Sequence, residues 1–551
     1  MRILILSGVL VGLGLGCGAR QQTSEAAASP GPAAVKPGEV VVRWRFSGIA
    51  QLRGNTNAAS LREVWALPST QKVVEEALGK LAAAPPRLFK EGWAAGNIET
   101  TPLLRPLLDD LLQAESQAEC RGTAGPAFEW TLAVRLDEAR VGLWRANWEA
   151  LMTALGATEP LEFKSEGFTA WEAKRSGTPN LFRLVRAGEW LVAGWGQDAL
   201  PSLAEWLKRI KAGGRPSPTA MGGWLELEVN LPCLSKSLGL SEKVRWPQAQ
   251  LTFTGRGTNV RATGRFVFAE APGFKLDPWR IPTQTIREPL ISFTAMRGAQ
   301  PWLSGAPLFS QLGLLPVPNQ LFGWAQSQTP FQTYFAWTLP DITNTLEKAA
   351  LRLPEVLKSN YPRFAIGEVT YLTNRAQLSW KGLPVLLPFL RPAPVPESDF
   401  VVAGVFPTTG TGKAAAPAEL YAQVTGPTNL VYYDWEITEH RVRGWLTMRS
   451  FYDMVGRYAP PPTNSAAMLW LVDTNMTRHL GNAVTELTLQ SPREMSGMRT
   501  SAIGLSGFEL VCLAYWIANP AFPAYKPIPA IGPRSWPATG AKPGQPPTVE
   551  K

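Results

Sequence analysis

The chain has 551 residues, 45% hydrophobic and 18% charged, a balance that supports sizeable apolar cores and excludes a fibrous or fully disordered polypeptide. Its formal net charge of +10 suits an anionic surface or ligand, but the Lys and Arg residues are dispersed, and no zinc-finger or RNA-reading motif accompanies them, so nucleic acid is not an expected partner. With 4 cysteines the sequence does not describe a disulfide scaffold.

The first residues have the anatomy of an export signal: the charge of Arg2, an apolar run from Ile3 to Leu15, then Gly16-Cys17-Gly18. A run of about 13 residues falls short of the ~20 that a membrane-spanning helix needs. The segment Gly14-Leu15-Gly16-Cys17 resembles the lipobox of bacterial lipoprotein precursors. That resemblance implies that Cys17 is acylated and becomes the new amino terminus. The expectation is an exported protein, periplasmic or associated with the outer membrane, held to the membrane by an N-terminal lipid. The small residues from Gly16 to Ala19 also permit cleavage by an ordinary signal peptidase, which would leave a soluble secreted protein. Residues 18–38, rich in Ala, Pro, Gly and small polar side chains, read as a flexible linker.

From residue 39 onward two passages carry the same order of elements. The first opens on a strand, Val40 to Phe46, followed by a helical pattern from Leu61 that Leu67-Pro68 interrupts; the second opens on Pro289 to Ala295, followed by a pattern from Leu308 interrupted at Leu315-Pro316. Each continues through a strand that an Asp terminates, Trp130 to Asp137 and Phe335 to Asp341, where the carboxylate is placed to cap the next helix. Those helices, about Trp144 to Leu155 and Thr343 to Leu357, have apolar spacings of three and four. Hairpins at Leu161 to Lys174 and Ala365 to Trp380 follow. The closest match is Gly188-Glu189-Trp190-Leu191-Val192-Ala193-Gly194 with Ser398-Asp399-Phe400-Val401-Val402-Ala403-Gly404. Later strands are expected at Trp224 to Asn230, Gln248 to Gly255 and Val260 to Ala269, and at Leu420 to Thr425, Asn429 to Glu436, Arg441 to Thr447 and Val484 to Leu489.

The fold class expected is α+β in two similar tandem halves, 39–275 and 288–519, each a mainly antiparallel sheet with helices on one face. Residues 276–287 would connect them, with a ligand groove at the junction. A Pro-rich disordered tail occupies 520–551. This order of elements is similar to that of exported bacterial proteins of unknown function, a likeness that implies no activity.

Little in the sequence signals catalysis. His440 and His479 belong to no metal-ligand motif, and no Gly-x-Ser-x-Gly elbow is present, so neither a metal nor a cofactor is expected. The segment Thr408 to Lys413 superficially resembles a phosphate loop but reads as a hairpin loop. Strand alternation puts Trp224, Glu226 and Glu228 on one face, and likewise Asp434 and Glu436 beside Trp435. Same-face neighbours lie near ~7 Å apart, within the range that glycosidic acid–base chemistry uses. Cys120 and Cys233 are candidates to pair, and Cys512 reads as a small core residue. The 22 tryptophans fill cores or line a groove. The expected function is a non-enzymatic envelope lipoprotein whose duplicated domain binds an envelope protein, glycan or lipid. A glycan-acting hydrolase using a same-face carboxylate pair, and a lipid or lipoprotein carrier, stand as alternatives.

Overall fold

The computed structural model describes residues 38–524, apart from 55, 89–98, 123–127, 176–179, 198, 218–221, 238–244, 306, 328–331, 363–364, 384–385, 407–413, 457 and 459. Cys17, the linker up to residue 37, the loop Thr408 to Lys413 and the tail from residue 525 therefore lie outside the described residues. Ten strands precede residue 270: β1 (Val40–Phe46), β2 (Ser116–Gly122), β3 (Phe128–Arg135), β4 (Leu161–Ser165), β5 (Phe168–Lys174), β6 (Asn180–Ala187), β7 (Trp190–Gln197), β8 (Leu225–Asn230), β9 (Gln248–Arg256) and β10 (Asn259–Val267). After them come β11 (Leu290–Arg297), β12 (Gln320–Gln326), β13 (Thr333–Thr338), β14 (Glu368–Leu372) and β15 (Gln377–Lys381). The last are β16 (Phe389–Pro392), β17 (Phe400–Gly404), β18 (Leu430–Ile437), β19 (Asn482–Ser491) and β20 (Glu494–Ser501).

All of these strands join one antiparallel sheet of 20. Pairing runs β4, β5, β6, β7, β3, β2, β1, β8, β9, β10. It continues across a β10–β20 ladder into β20, β19, β18, β11, β12, β13, β17, β16, β15, β14. The fold is thus mixed α+β around a large antiparallel sheet.

Because side chains alternate along a strand, each ladder fixes two faces. One face carries Trp44 and Phe46 of β1, Ala118 of β2 and Leu225 of β8, and it buries them against the helices Pro68–Ala82, Thr101–Gln113, Ala466–Val472 and Gly507–Ala518 in one core. That core draws on both ends of the chain, from Trp44, Leu78 and Leu108 to Trp470, Leu510 and Phe522. Hydrogen bonds knit the same elements, Trp470 Nε1 to Thr70 Oγ1 at 2.9 Å and Lys80 Nζ to the Ile517 carbonyl at 2.7 Å. The junction expected to hold a groove is a continuous ladder beneath a shared core, and an apolar pocket of about 130 Å³ opens there, with Trp65, Val74 and Trp224 on one side and Trp470, Leu505 and Leu513 on the other. Among the described residues no helix is long and apolar enough to cross a membrane.

Helices do not keep to one face. Helix Glu138–Ala154 packs on Val134, whereas helix Pro201–Lys211 packs on the adjacent Ala133 and so on the opposite side of β3. Helix Ala418–Thr425 sets Leu420 and Val424 against Phe293 and Phe322, while helix Ile342–Asn360 meets Trp337 and Val401 on the other side.

Two segments expected as strands are helical. Leu420 to Thr425 lies in helix Ala418–Thr425, whose buried Leu420 and Val424 are four apart, and Arg441 to Thr447 lies in helix Thr438–Gly456. Short apolar–polar alternations satisfy both periods, and tertiary packing chose the helix. His440 consequently lies in a helix, and His479 Nδ1 meets Glu63 Oε2 at 3.0 Å. Asp137 caps its helix as expected, accepting from the Arg140 backbone N–H at 2.9 Å. Asp341 does not: it adopts a left-handed conformation with φ 44° and instead accepts from Asn344 Nδ2 at 2.7 Å.

Cys120 and Cys233 form no disulfide. Cys120 is buried within β2, whereas Cys233 places its sulfur 3.6 Å from Glu39 Oε2. Cys512 is exposed on helix Gly507–Ala518 rather than buried. Packing also continues past residue 519, because Phe522 is fully buried with its ring 4.9 Å from that of Trp516.

Candidate functional site

The two carboxylate pairs meet different fates. In the first, β1 supplies a cation opposite each acid: Arg43 faces Glu228 and Arg45 faces Glu226. Arg43 reaches Glu228 at 2.8 Å and Glu119 at 2.6 Å, and Arg45 approaches Glu226 at 3.7 Å. Arg121 adds ion pairs to Glu119 and, at 3.0 Å, to Glu205 of helix Pro201–Lys211. This ladder sets a cation against each of Glu226 and Glu228. Trp224 does not share their face, because the chain leaves strand geometry there and packs Trp224 beside Leu225 against the shared core.

Glu129, beneath the same helix, accepts from the backbone N–H of Ser202 at 2.8 Å. Burial nevertheless raises its pKa from 4.5 to about 7. A folded-state pKa above the unfolded one gives stability that is complete below pH 4.5 and is lost as pH rises through about 7. The stability of wild type relative to Glu129→Gln should therefore fall across that window in urea titrations; a difference that rises with pH would contradict the assignment.

The second pair opens into a polar cavity of about 390 Å³. Its floor is the sheet face bearing Ser292 and Thr294 of β11, Gly323 of β12, Phe335 of β13 and Asp434 and Glu436 of β18. Thr294 faces both Gly323 and Asp434, so the small hydroxyl and the missing side chain leave room above the carboxylates. Trp435 lies on the opposite face, packed against the Phe293 and Phe322 core, and takes no part. Helix Thr438–Gly456 supplies Arg441 and Trp445, β20 supplies Arg499, and the start of helix Gly507–Ala518 supplies Phe508 and Glu509.

Each acid is held by a specific donor. Thr294 Oγ1 donates to Asp434 Oδ1 at 2.6 Å, and the Gly507 backbone N–H donates to Glu436 Oε1 at 2.6 Å. Even so, burial outweighs these bonds and holds both carboxyls above their usual range. Burial likewise raises Tyr432 on the same strand and lowers Arg441. Arg499 and Glu509 behave otherwise: burial opposes their ionisation, but their mutual ion pair at 2.6 Å prevails and keeps both charged. Glu509 also completes a capping box with Ser506.

Arg441 is the less satisfied cation. Its guanidinium lies 4.8 Å from the Trp445 ring centre, and its buried Nε has no hydrogen-bond partner among the described residues. Trp445 in turn meets Phe508 at 4.9 Å, and Phe508 and Phe335 are 51% and 44% exposed, so the pocket has an aromatic rim open to solvent.

Sequence reading found Asp434 and Glu436 but missed their partners. Arg441 and Trp445 were hidden by the strand assignment, Arg499 by an unassigned β20, and Phe508 by its position inside the Ser506-x-x-Glu509 capping motif, a signal that was legible. No protein-family model, curated protein or solved structure matches this chain.

Proposed function

We propose that the protein is an exported envelope lipoprotein, anchored through Cys17, whose β11–β13 and β18 pocket binds a glycan without turning it over. The observation that carries this reading is one pocket holding carboxyls, an under-satisfied guanidinium and an exposed aromatic rim. Sugar rings offer apolar C–H faces and a fan of hydroxyls. Trp445 and Phe508 suit the faces, and Asp434, Glu436 and Arg441 are planar forks that hydrogen-bond hydroxyl pairs. Titration with soluble neutral, amino and acidic oligosaccharides tests it: saturable binding should weaken by at least about tenfold in Trp445→Ala. Equal affinity for wild type and variant would remove the pocket from the account.

The anchor proposal rests on the run of residues ending in Gly16-Cys17. Intact mass of envelope-extracted protein should carry an acyl increment that Cys17→Ala abolishes; an unmodified chain would refute the anchor.

The same reading takes the chain to be a duplicated unit. Support comes from strand order, since β4-β5-β6-β7-β3-β2-β1-β8-β9-β10 and β14-β15-β16-β17-β13-β12-β11-β18-β19-β20 correspond one to one. It comes also from register: Leu136 and Leu339 donate to the carbonyls of Glu189 and Asp399, each at 3.1 Å. Gly48 and Gly298, two residues past β1 and one past β11, share positive φ of 86° and 71°. Under this correspondence Trp44, Ala118 and Leu227 of the first unit become Thr294, Gly323 and Asp434 of the second. One unit would thus have kept an apolar core where the other opened a polar pocket.

A hydrolytic reading draws on the raised carboxyls. Asp434 and Glu436 in one aromatic-rimmed site suit an acid–base pair. Reducing ends released by wild type but not by Asp434→Asn would favour it over binding alone.

A further inference from the structure

A second cavity, of about 270 Å³, lies between helix Glu138–Ala154 and the sheet face formed by β2, β3, β6 and β7. That is almost twice the ~150 Å³ apolar cavity known to admit benzene. Trp144, Trp148 and Leu151 form one wall, and Phe182, stacked on Trp195 with ring centres 5.7 Å apart, forms another. Water is a poor occupant, because it needs two to four polar partners and these walls offer few.

Polar groups reach the cavity at particular points. Arg175 and Asn180, which flank the β5–β6 connection, contribute to its lining. Trp130 lines it as well, and its indole N–H is buried without a hydrogen-bond partner among the described residues. An apolar chamber with a cation and an unmet donor fits an amphiphile that carries an acceptor at one end.

We propose that this cavity is a binding site for a carboxylate-headed lipid, a free fatty acid, with its chain between Trp144, Trp148 and Phe182 and its carboxylate at Arg175. The site is separate from the Asp434 pocket and does not depend on the glycan reading. The occupant is a free acid rather than the chain's own anchor, so the test uses the full chain carrying Cys17→Ala.

The probe is dansylaminoundecanoic acid, whose fluorescence rises on burial, displaced by dodecanoate or by 1-dodecanol. Saturable binding is expected, with dodecanoate displacing at least about tenfold better than the alcohol because only it meets the guanidinium. Leu151→Trp, which fills the chamber, should abolish probe binding. Arg175→Gln should close the gap between acid and alcohol, and it decides the matter if the filled variant does not fold. The proposal is overturned if dodecanoate fails to displace the probe, if folded Leu151→Trp binds as wild type does, or if Arg175→Gln preserves the gap. Saccharide titration of the same variants reads the other site independently.

Discussion

Glu119→Ala is expected to destabilise the protein by about 3–5 kcal/mol, the range seen when one member of a buried ion pair is removed. Glu119 is 1% exposed and lies between Arg43 at 2.6 Å and Arg121, with Ser202 Oγ donating to it at 3.0 Å. Those interactions hold its pKa below the usual range although burial acts to raise it. Arg121 is itself buried and would keep its ion pair to Glu205 and the weaker attraction of Glu129. The variant leaves a buried cation without its nearest counter-charge, which costs more than the pair contributed. Urea unfolding at neutral pH measures the loss through the midpoint at unchanged slope. A change under about 1 kcal/mol would mean that the ladder behaves as a solvated surface network.

Arg441→Ala should have the opposite profile. Saccharide affinity is expected to fall by about 2–4 kcal/mol, the scale of a desolvated anchor residue, or roughly 30- to 1,000-fold. Folding stability should stay level or rise. Burial lowers the Arg441 pKa against the opposing pull of Glu436 and Asp434, its Nε is unmet, and no carboxylate lies within ion-pairing distance among the described residues, so desolvation outweighs attraction and the folded protein bears a net cost that the variant removes. A residue that weakens the fold yet serves a ligand is a mark of a binding site. Calorimetric titration and thermal unfolding of the same preparation separate the two effects. Loss of stability together with affinity would assign Arg441 to the scaffold.

How far the sequence reveals this architecture depends on which interactions decide each element. Long segments with one dominant period were readable: the helices after Asp137 and Asp341, the strands around Val192 and Val402, and the alternation that put Asp434 with Glu436. Short segments were not. Arg441 to Thr447 alternates like a strand but is drawn into a helix in which Val442 is fully buried in the shared core. The face that each helix covers is equally a tertiary matter, since Ala133 and Val134 are neighbours that serve opposite cores.

The candidate site was half legible for a related reason. Alternation reports that two acids share a face, but not what stands across from them. Arg43 and Arg45 opposite Glu228 and Glu226 produce a closed ladder, whereas Ser292 and Thr294 opposite Glu436 and Asp434 leave space. Those partners come from strands about 140 and 180 residues away in sequence, and only the fold brings them together.

Crystals of the protein soaked with the tightest-binding saccharide from the titrations provide the most direct measurement. Density for a sugar ring against Trp445, with its hydroxyls at Asp434 and Arg441, is the result predicted. Saccharide density confined to any other surface, with the Asp434 pocket holding only water, would contradict the glycan-binding account.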